Sequence, residues 1–278
     1  MGGPRRRGRL PFSPWHLFLM PLALLFATPL VQMILTSLKT DADIRKFPPD
    51  LLPTHPTVAG YVSLFTEYDV LRWIANSVIV SGTAVLAQLV LCSLAGYGFA
   101  RMRFAGRTPA FVVVIATIMI PTQLLMIPTY VMFTRLGVIN TLSSMFIPWL
   151  TSAFGVFLMR QFFLSLPGEL EEAARLDGCN DFGVFFRIVL PLAKPALATL
   201  AIFTLLGAWN DLIWPLITIN DSSLFTLQLG LANFQGTRRT EWQVLMSGNV
   251  VATLPLVLFF LAAQKHFIAT MTFSGMKG

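Results

Sequence analysis

The sequence predicts an all-α, polytopic membrane protein of about six transmembrane helices, and three observations carry that reading. The 278 residues are 55% hydrophobic and 12% charged. Soluble domains carry roughly twice that charged fraction. Apolar runs near the ~20 residues needed to cross a bilayer core recur along the chain. One polar, helix-forming island, residues 165–195, stands between two such runs. Spans on this scale leave little length for a water-soluble domain, and no ATP-binding or enzymatic domain fits beside them.

Residues 1–14 form a basic tail with Arg5, Arg6, Arg7 and Arg9. Positive charge before an apolar run marks a cytoplasmic N-terminus, and it accounts for much of the net charge of +7 without invoking nucleic acid. The transmembrane domain is expected over 15–267. Span 1 covers about 15–38 and includes Pro21 and Pro29. Residues 39–72 are expected outside, their prolines resisting long regular structure. Span 2 covers about 73–99, and its Asn76, Ser77, Gln88 and Ser93 suit interhelical packing and hydrogen bonds. Arg101, Arg103 and Arg107 then place a short loop in the cytoplasm. Span 3 covers about 109–133, broken by Pro121 and Pro128, and span 4 about 142–163. Span 5 covers about 196–219 and span 6 about 244–267, with Asn220–Gln243 outside between them. Alternation puts 165–195 and the tail 268–278 in the cytoplasm.

Within the island, Pro167 stands where a helix can start, and Glu169, Glu171 and Glu172 favour the positive end of its dipole. Gly178 is the expected stop. Asn180 is placed to cap a second helix. Phe182, Phe185, Phe186 and Val189 follow at helical spacing as one apolar stripe, which Pro191 closes. Two short helices with a glycine bend result.

The pattern Glu172-Ala173-Ala174, three residues, Gly178, nine residues, Ile188-Val189-Leu190-Pro191 resembles the EAA loop of membrane subunits of ABC importers. Asp177-Gly178, Pro191 and Pro195 narrow the resemblance to the maltose-type and glycerol-3-phosphate-type sugar permeases. Tyr97-Gly98-Phe99-Ala100-Arg101, Leu136-Gly137-Val138-Ile139-Asn140-Thr141, Trp209-Asn210-Asp211 and the terminal Gly275-Met276-Lys277-Gly278 extend it over nearly the whole chain. Gly60 replaces a usual Asn, and Cys179 stands where Ala or Ser is common.

The resemblance implies a permease that moves a sugar or sugar derivative inward. Coupling residues would be Glu172, Ala173, Ala174, Asp177, Gly178, Ile188, Leu190 and Pro191, with Glu172 pairing to the partner or to Arg175. The chain lacks a GxxxxGK[ST] phosphate loop. No cofactor is therefore expected on it, and ATP and Mg belong to two copies of a partner ATP-binding subunit. A second, different permease, an extracytoplasmic solute-binding protein and the lipid bilayer complete the expected partners.

Asp211 is the one clear acid inside a span, and such groups are functional by default. With Asn76, Gln88, Trp209, Asn210 and Asn249 it forms the candidate substrate path, set against a structural polar knot. No catalytic residue and no metal ligand set is expected. Cys92 and Cys179 differ in depth, which argues against a disulfide. His16, His55 and His266 are scattered. The alternative, a stand-alone secondary transporter of a small polar solute, would want more membrane acids and leaves the EAA pattern unexplained.

Overall fold

The computed structural model describes residues 15–235 and 240–274. The basic tail, Arg238, Arg239 and the terminal Gly275–Gly278 lie outside the described residues, as do the side chains of Lys265 and His266. The described residues are predominantly helical, with an isolated antiparallel bridge between Gln235 and Thr240. The chain divides into two compact units, 1–66 with 234–251 and 67–233 with 252–278.

The smaller unit starts with α1 (His16–Ser37), which carries Pro21 and Pro29 inside it. Its apolar residues are exposed around the helix, and only Ser37 is buried. An all-round apolar helix of this length is a membrane span. The following segment is more regular than its prolines suggested. It contains α2 (Asp41–Arg45), capped by the Thr40 hydroxyl, and α3 (Ala59–Thr66). Pro48, Pro49, Pro53 and Pro56 are confined to the link between them.

The larger unit is organised around α4 (Val70–Arg101), which outruns the expected span at both ends. Next come α5 (Arg107–Ala116), a 3-10 turn at Thr117–Met119, and α6 (Thr122–Arg135). These two arms meet at 101°. The break falls at Pro121, before which Ile120 is extended, as a residue preceding proline prefers. Pro128, expected as a second break, sits inside α6.

Then follow α7 (Leu142–Phe146), a 3-10 turn at Ile147–Trp149, and α8 (Ala153–Ser165), capped by Ser152. The island forms α9 (Glu169–Leu176), α10 (Asp181–Val184), a π-helical turn at Phe185–Val189 and α11 (Leu190–Leu192). Next, α12 (Lys194–Trp209) runs apolar, and α13 (Ile213–Thr218) is separated from it at Asn210–Leu212. Expected span 5 is thus two helices. Residues 220–243 hold a 3-10 turn at Ser222–Leu224 and α14 (Leu227–Ala232), and α15 (Trp242–Ser274) follows. The helix continues through 268–274, where a tail was expected.

Gly60 now has a reason. A Cβ there would lie 2.6 Å from Ser247 Oγ and 2.8 Å from the Gln243 carbonyl oxygen, so the usual Asn does not fit.

By length and composition α1, α4, Leu142–Ser165 and Trp242–Ala262 can each cross a membrane. The bent pairs 107–135 and 181–209 raise the number to six. α4 packs along α8 and α12. The core holds Tyr97, Met159, Phe163, Ala174, Phe185, Val189 and Leu200, reaching from the spans into the island.

Candidate functional site

The island begins where α8 ends. α9 carries Glu169, Glu171 and Glu172 in its first turn and Arg175 in its last. That order complements the helix dipole. Gly178 ends it with φ +84°, a left-handed conformation that glycine adopts without strain. The Asn180 side chain accepts the Gly183 N–H at 2.8 Å and caps α10, as expected.

The apolar stripe divides. Phe185 and Val189 are buried, with Phe185 against Tyr97 and Phe163. Phe182 is 71% exposed and Phe186 lies largely outside. Nor does Pro191 end the helix. Proline removes one backbone donor and crowds the carbonyl four residues back. The π turn directly before α11 widens the coil there, and the chain passes through Pro191 before bending by 76° into α12. Ile188 and Leu190 are partly buried against the core, while Pro191 is exposed.

α9 has two different faces. Glu171 and Ala174 are buried, whereas Glu172, Ala173, Asp177 and Gly178 are exposed and Leu176 is 89% exposed. Of the two partners expected for Glu172, Arg175 is engaged elsewhere. Arg175 turns to Glu171 at 3.7 Å and to Asp181 at 3.2 Å. Glu171 stands at i,i+4 to Arg175, a spacing at which helical side chains meet.

That inward acid was missed in the sequence. Glu171 is 5% exposed and sits 3.0 Å from Arg101 Nε, in ion-pair range though not aligned as a hydrogen bond. The Tyr97 hydroxyl donates to Glu171 Oε2 at 3.3 Å. Arg101 Nη2 also donates to the carbonyls of Phe163 and Leu166, at the end of α8. A recess of about 490 Å³ opens beside this network, with Arg103 and Glu172 on its wall.

Most of the candidate substrate-path residues are engaged in hydrogen bonds of their own. Asn76 donates to the carbonyls of Ser223 and Phe225 at 3.0 and 2.9 Å. Gln88, 3% exposed, donates to the Trp149 carbonyl at 3.0 Å and accepts from Ser152 and Thr204. Buried Trp209 donates to the Ala252 carbonyl at 3.1 Å. These three fasten helices together. Asn210 is exposed and accepts from Gln228. Asn249 is half-buried on α15.

Asp211 has a different setting. Its carboxylate accepts the Trp149 indole N–H at 3.2 Å and the Trp214 backbone N–H at 3.4 Å. It borders a recess of about 350 Å³ with Gln123, Trp149 and Trp214. Three interruptions converge on this recess: Pro121 before α6, Pro148–Trp149 before α8, and Asn210–Leu212 before α13. Irregular backbone at membrane depth persists only when buried in protein or lining a wet cavity.

Broken spans and a polar loop of two short helices are the features that the resemblance to ABC importer permeases led one to expect. Residues 88–272 match the family described as "Binding-protein-dependent transport system inner membrane component", and the chain belongs to that family. It is 35% identical over 260 residues to the arabinooligosaccharides transport system permease protein AraQ of Halalkalibacterium halodurans, covering 92% of this chain and 93% of the relative. The Bacillus subtilis AraQ protein is also 35% identical, over 265 residues and 94% of each chain. A crystal structure of a bacterial ABC transporter involved in the import of the acidic polysaccharide alginate superposes with a TM-score of 0.80 at 23% identity, covering 93% of this chain and 100% of that one. Membership sets aside the stand-alone secondary transporter.

Proposed function

We propose that this chain is the permease of a sugar importer, driven through its 165–195 loop by ATP hydrolysis in a separate subunit. One observation carries the coupling role. One side of the loop is locked into the bundle by Glu171, Ala174, Phe185 and Val189. The other presents Leu176, Phe182 and Phe186 beside Glu172 and bare Gly178. Such exposed apolar groups beside a charge suit a protein partner. The partner is a pair of ATP-binding subunits holding ATP and Mg; this chain itself needs neither.

The loop and both termini lie in the cytoplasm on this reading, with 15–267 as the permease domain. A second permease and an extracytoplasmic binding protein complete the complex. Nucleotide binding draws the ATPases together, the loops follow, and the permeases rock between two accesses as rigid bodies. The cargo class is a sugar, as the names of the AraQ relatives suggest. The recess at Asp211 fits it, because indole faces and amide or carboxylate groups suit a polyol ring.

The test is co-purification and uptake. Gently solubilised wild-type chain should bring down an ATP-binding subunit and a second permease. Glu172→Ala and Gly178→Asp should insert normally but lose uptake of arabinotriose, used as the probe. Normal uptake in both variants would refute the coupling role, and recovery of the chain alone would refute the complex.

A further inference from the structure

The buried acid of α9 is fastened to the end of a different helix, and that connection has a mechanical meaning. Glu171 meets Arg101 at 3.0 Å, and Tyr97, one turn earlier on α4, donates to the same carboxylate. Arg101 also grips the last carbonyls of α8, so a single guanidinium spans α4, α8 and α9. Arg175 extends the chain of charges to Asp181 on α10. A buried ion pair is a poor source of stability, because desolvation offsets its attraction, and apolar groups of equal volume often do as well. In some proteins such a pair instead fixes the register between the elements that it joins.

The far end of α4 is fastened too. Asn76 holds the carbonyls of Ser223 and Phe225, and the Ser77 hydroxyl accepts the Leu227 N–H at 2.8 Å. α4 has 32 residues, a rod of about 48 Å at 1.5 Å per residue. No proline interrupts it.

Building on the coupling role proposed above, we infer that Glu171 and Arg101 form a latch that makes α9 and α4 one moving body. Displacement of the loop then enters the bundle through α4 and reaches residues 223–227 at its far end. The covalent exits of the loop are poorer routes. Toward α12 the chain passes a π turn and a 76° bend. Toward α8 it passes Leu166–Gly168, a short link outside either helix. Glu172 contacts the partner, while Glu171 hands the motion on. Both are positioning residues.

The latch is tested by spin labels at Glu169→Cys and Leu86→Cys in the assembled transporter, nucleotide-free and trapped with ATP and vanadate. In the wild type the distance between the labels should stay the same on trapping. In Glu171→Gln and Arg101→Gln it should broaden or shift, while ATP hydrolysis persists and arabinotriose uptake per ATP falls about tenfold. The double variant should be no worse than either single one, as expected for residues acting through one contact. Arg101→Lys should restore much of the ratio. A wild-type distance that changes on trapping, or single variants indistinguishable from wild type, would overturn the latch. If no ATPase co-purifies, the proposed function fails instead. The same labels in the chain alone then still report whether loss of the ion pair frees α9, and an unchanged distribution would again overturn the latch.

Discussion

Gly178 separates two roles that a single residue can hold. Its φ of +84° requires a residue tolerant of the left-handed region, and open space surrounds its Cβ position. Alanine there should cost the isolated chain only about 1 kcal/mol of backbone strain. Asparagine tolerates that region better, so Gly178→Asn should leave the melting temperature of the isolated chain nearly unchanged. Uptake should still fall, because a side chain then stands on the docking face. Retained uptake with asparagine would reduce the glycine to a bend.

Asp221 sets a second residue-scale expectation, outside the spans. Its carboxyl lies below the ordinary aspartate value of 3.8 because it accepts the Ser223 N–H, at 2.8 Å. A depressed carboxyl stabilises the fold above its unfolded pKa and loses that contribution as pH falls through the folded value. Amide exchange at Ser223 should therefore be slow at pH 6 and lose protection only below about pH 3.8. Loss of protection near neutrality would exclude this cause.

At the scale of elements, the clearest consequence concerns α4. Gln88 uses its amide to join α4 to the Trp149–Ser152 break and to α12. Gln88→Leu leaves the Ser152 and Thr204 hydroxyls without their acceptor. About 1–3 kcal/mol of stability should be lost, read as thermal unfolding in detergent. The KM for uptake should stay unchanged in the folded fraction. A raised KM at unchanged stability would return Gln88 to the substrate path.

The sequence carried the locally determined parts of the loop. The acids of its first turn, the stop at Gly178 and the cap at Asn180 each depend on residues within a turn of one another. The division of Phe182, Phe185, Phe186 and Val189 was not legible. Their spacing puts them near one another, but Tyr97 and Phe163, brought in from distant helices, choose the half that is buried. Glu171 was hidden for the same reason, since its partner Arg101 lies 70 positions away in a different helix. Composition predicted the membrane spans. It marked Pro121 and Pro128 alike as breaks in span 3, could not tell that Pro128 would stay inside a helix, and did not place the break at Asn210, because proline is tolerated in some spans and not others. Pro21, Pro29, Pro128 and Pro255 all sit inside continuous helices.

For the whole molecule, exposed apolar surface and membership of a multi-subunit family have the same implication. α1 leaves Leu17, Phe18, Leu24 and Phe26 uncovered, and α6 leaves Leu124 and Ile127 uncovered. On the proposed function, lipid and companion subunits share that surface. The chain co-expressed with its partners should stay monodisperse in mild detergent by size-exclusion chromatography. Expressed alone, it should turn over faster in the membrane and elute more broadly. Equal behaviour in both cases would show that lipid or detergent suffices.

The polar ties along α4 also impose a timetable on synthesis. Asn76, Ser77 and Gln88 leave the ribosome long before the residues that satisfy them: Trp149, Ser152, Thr204, Ser223, Phe225 and Leu227. A nascent chain halted before Thr204 holds a glutamine in the bilayer with only part of its final hydrogen bonding. A chain halted there should be cleaved faster by added protease than one extended beyond residue 227, where each of these ties has its partner.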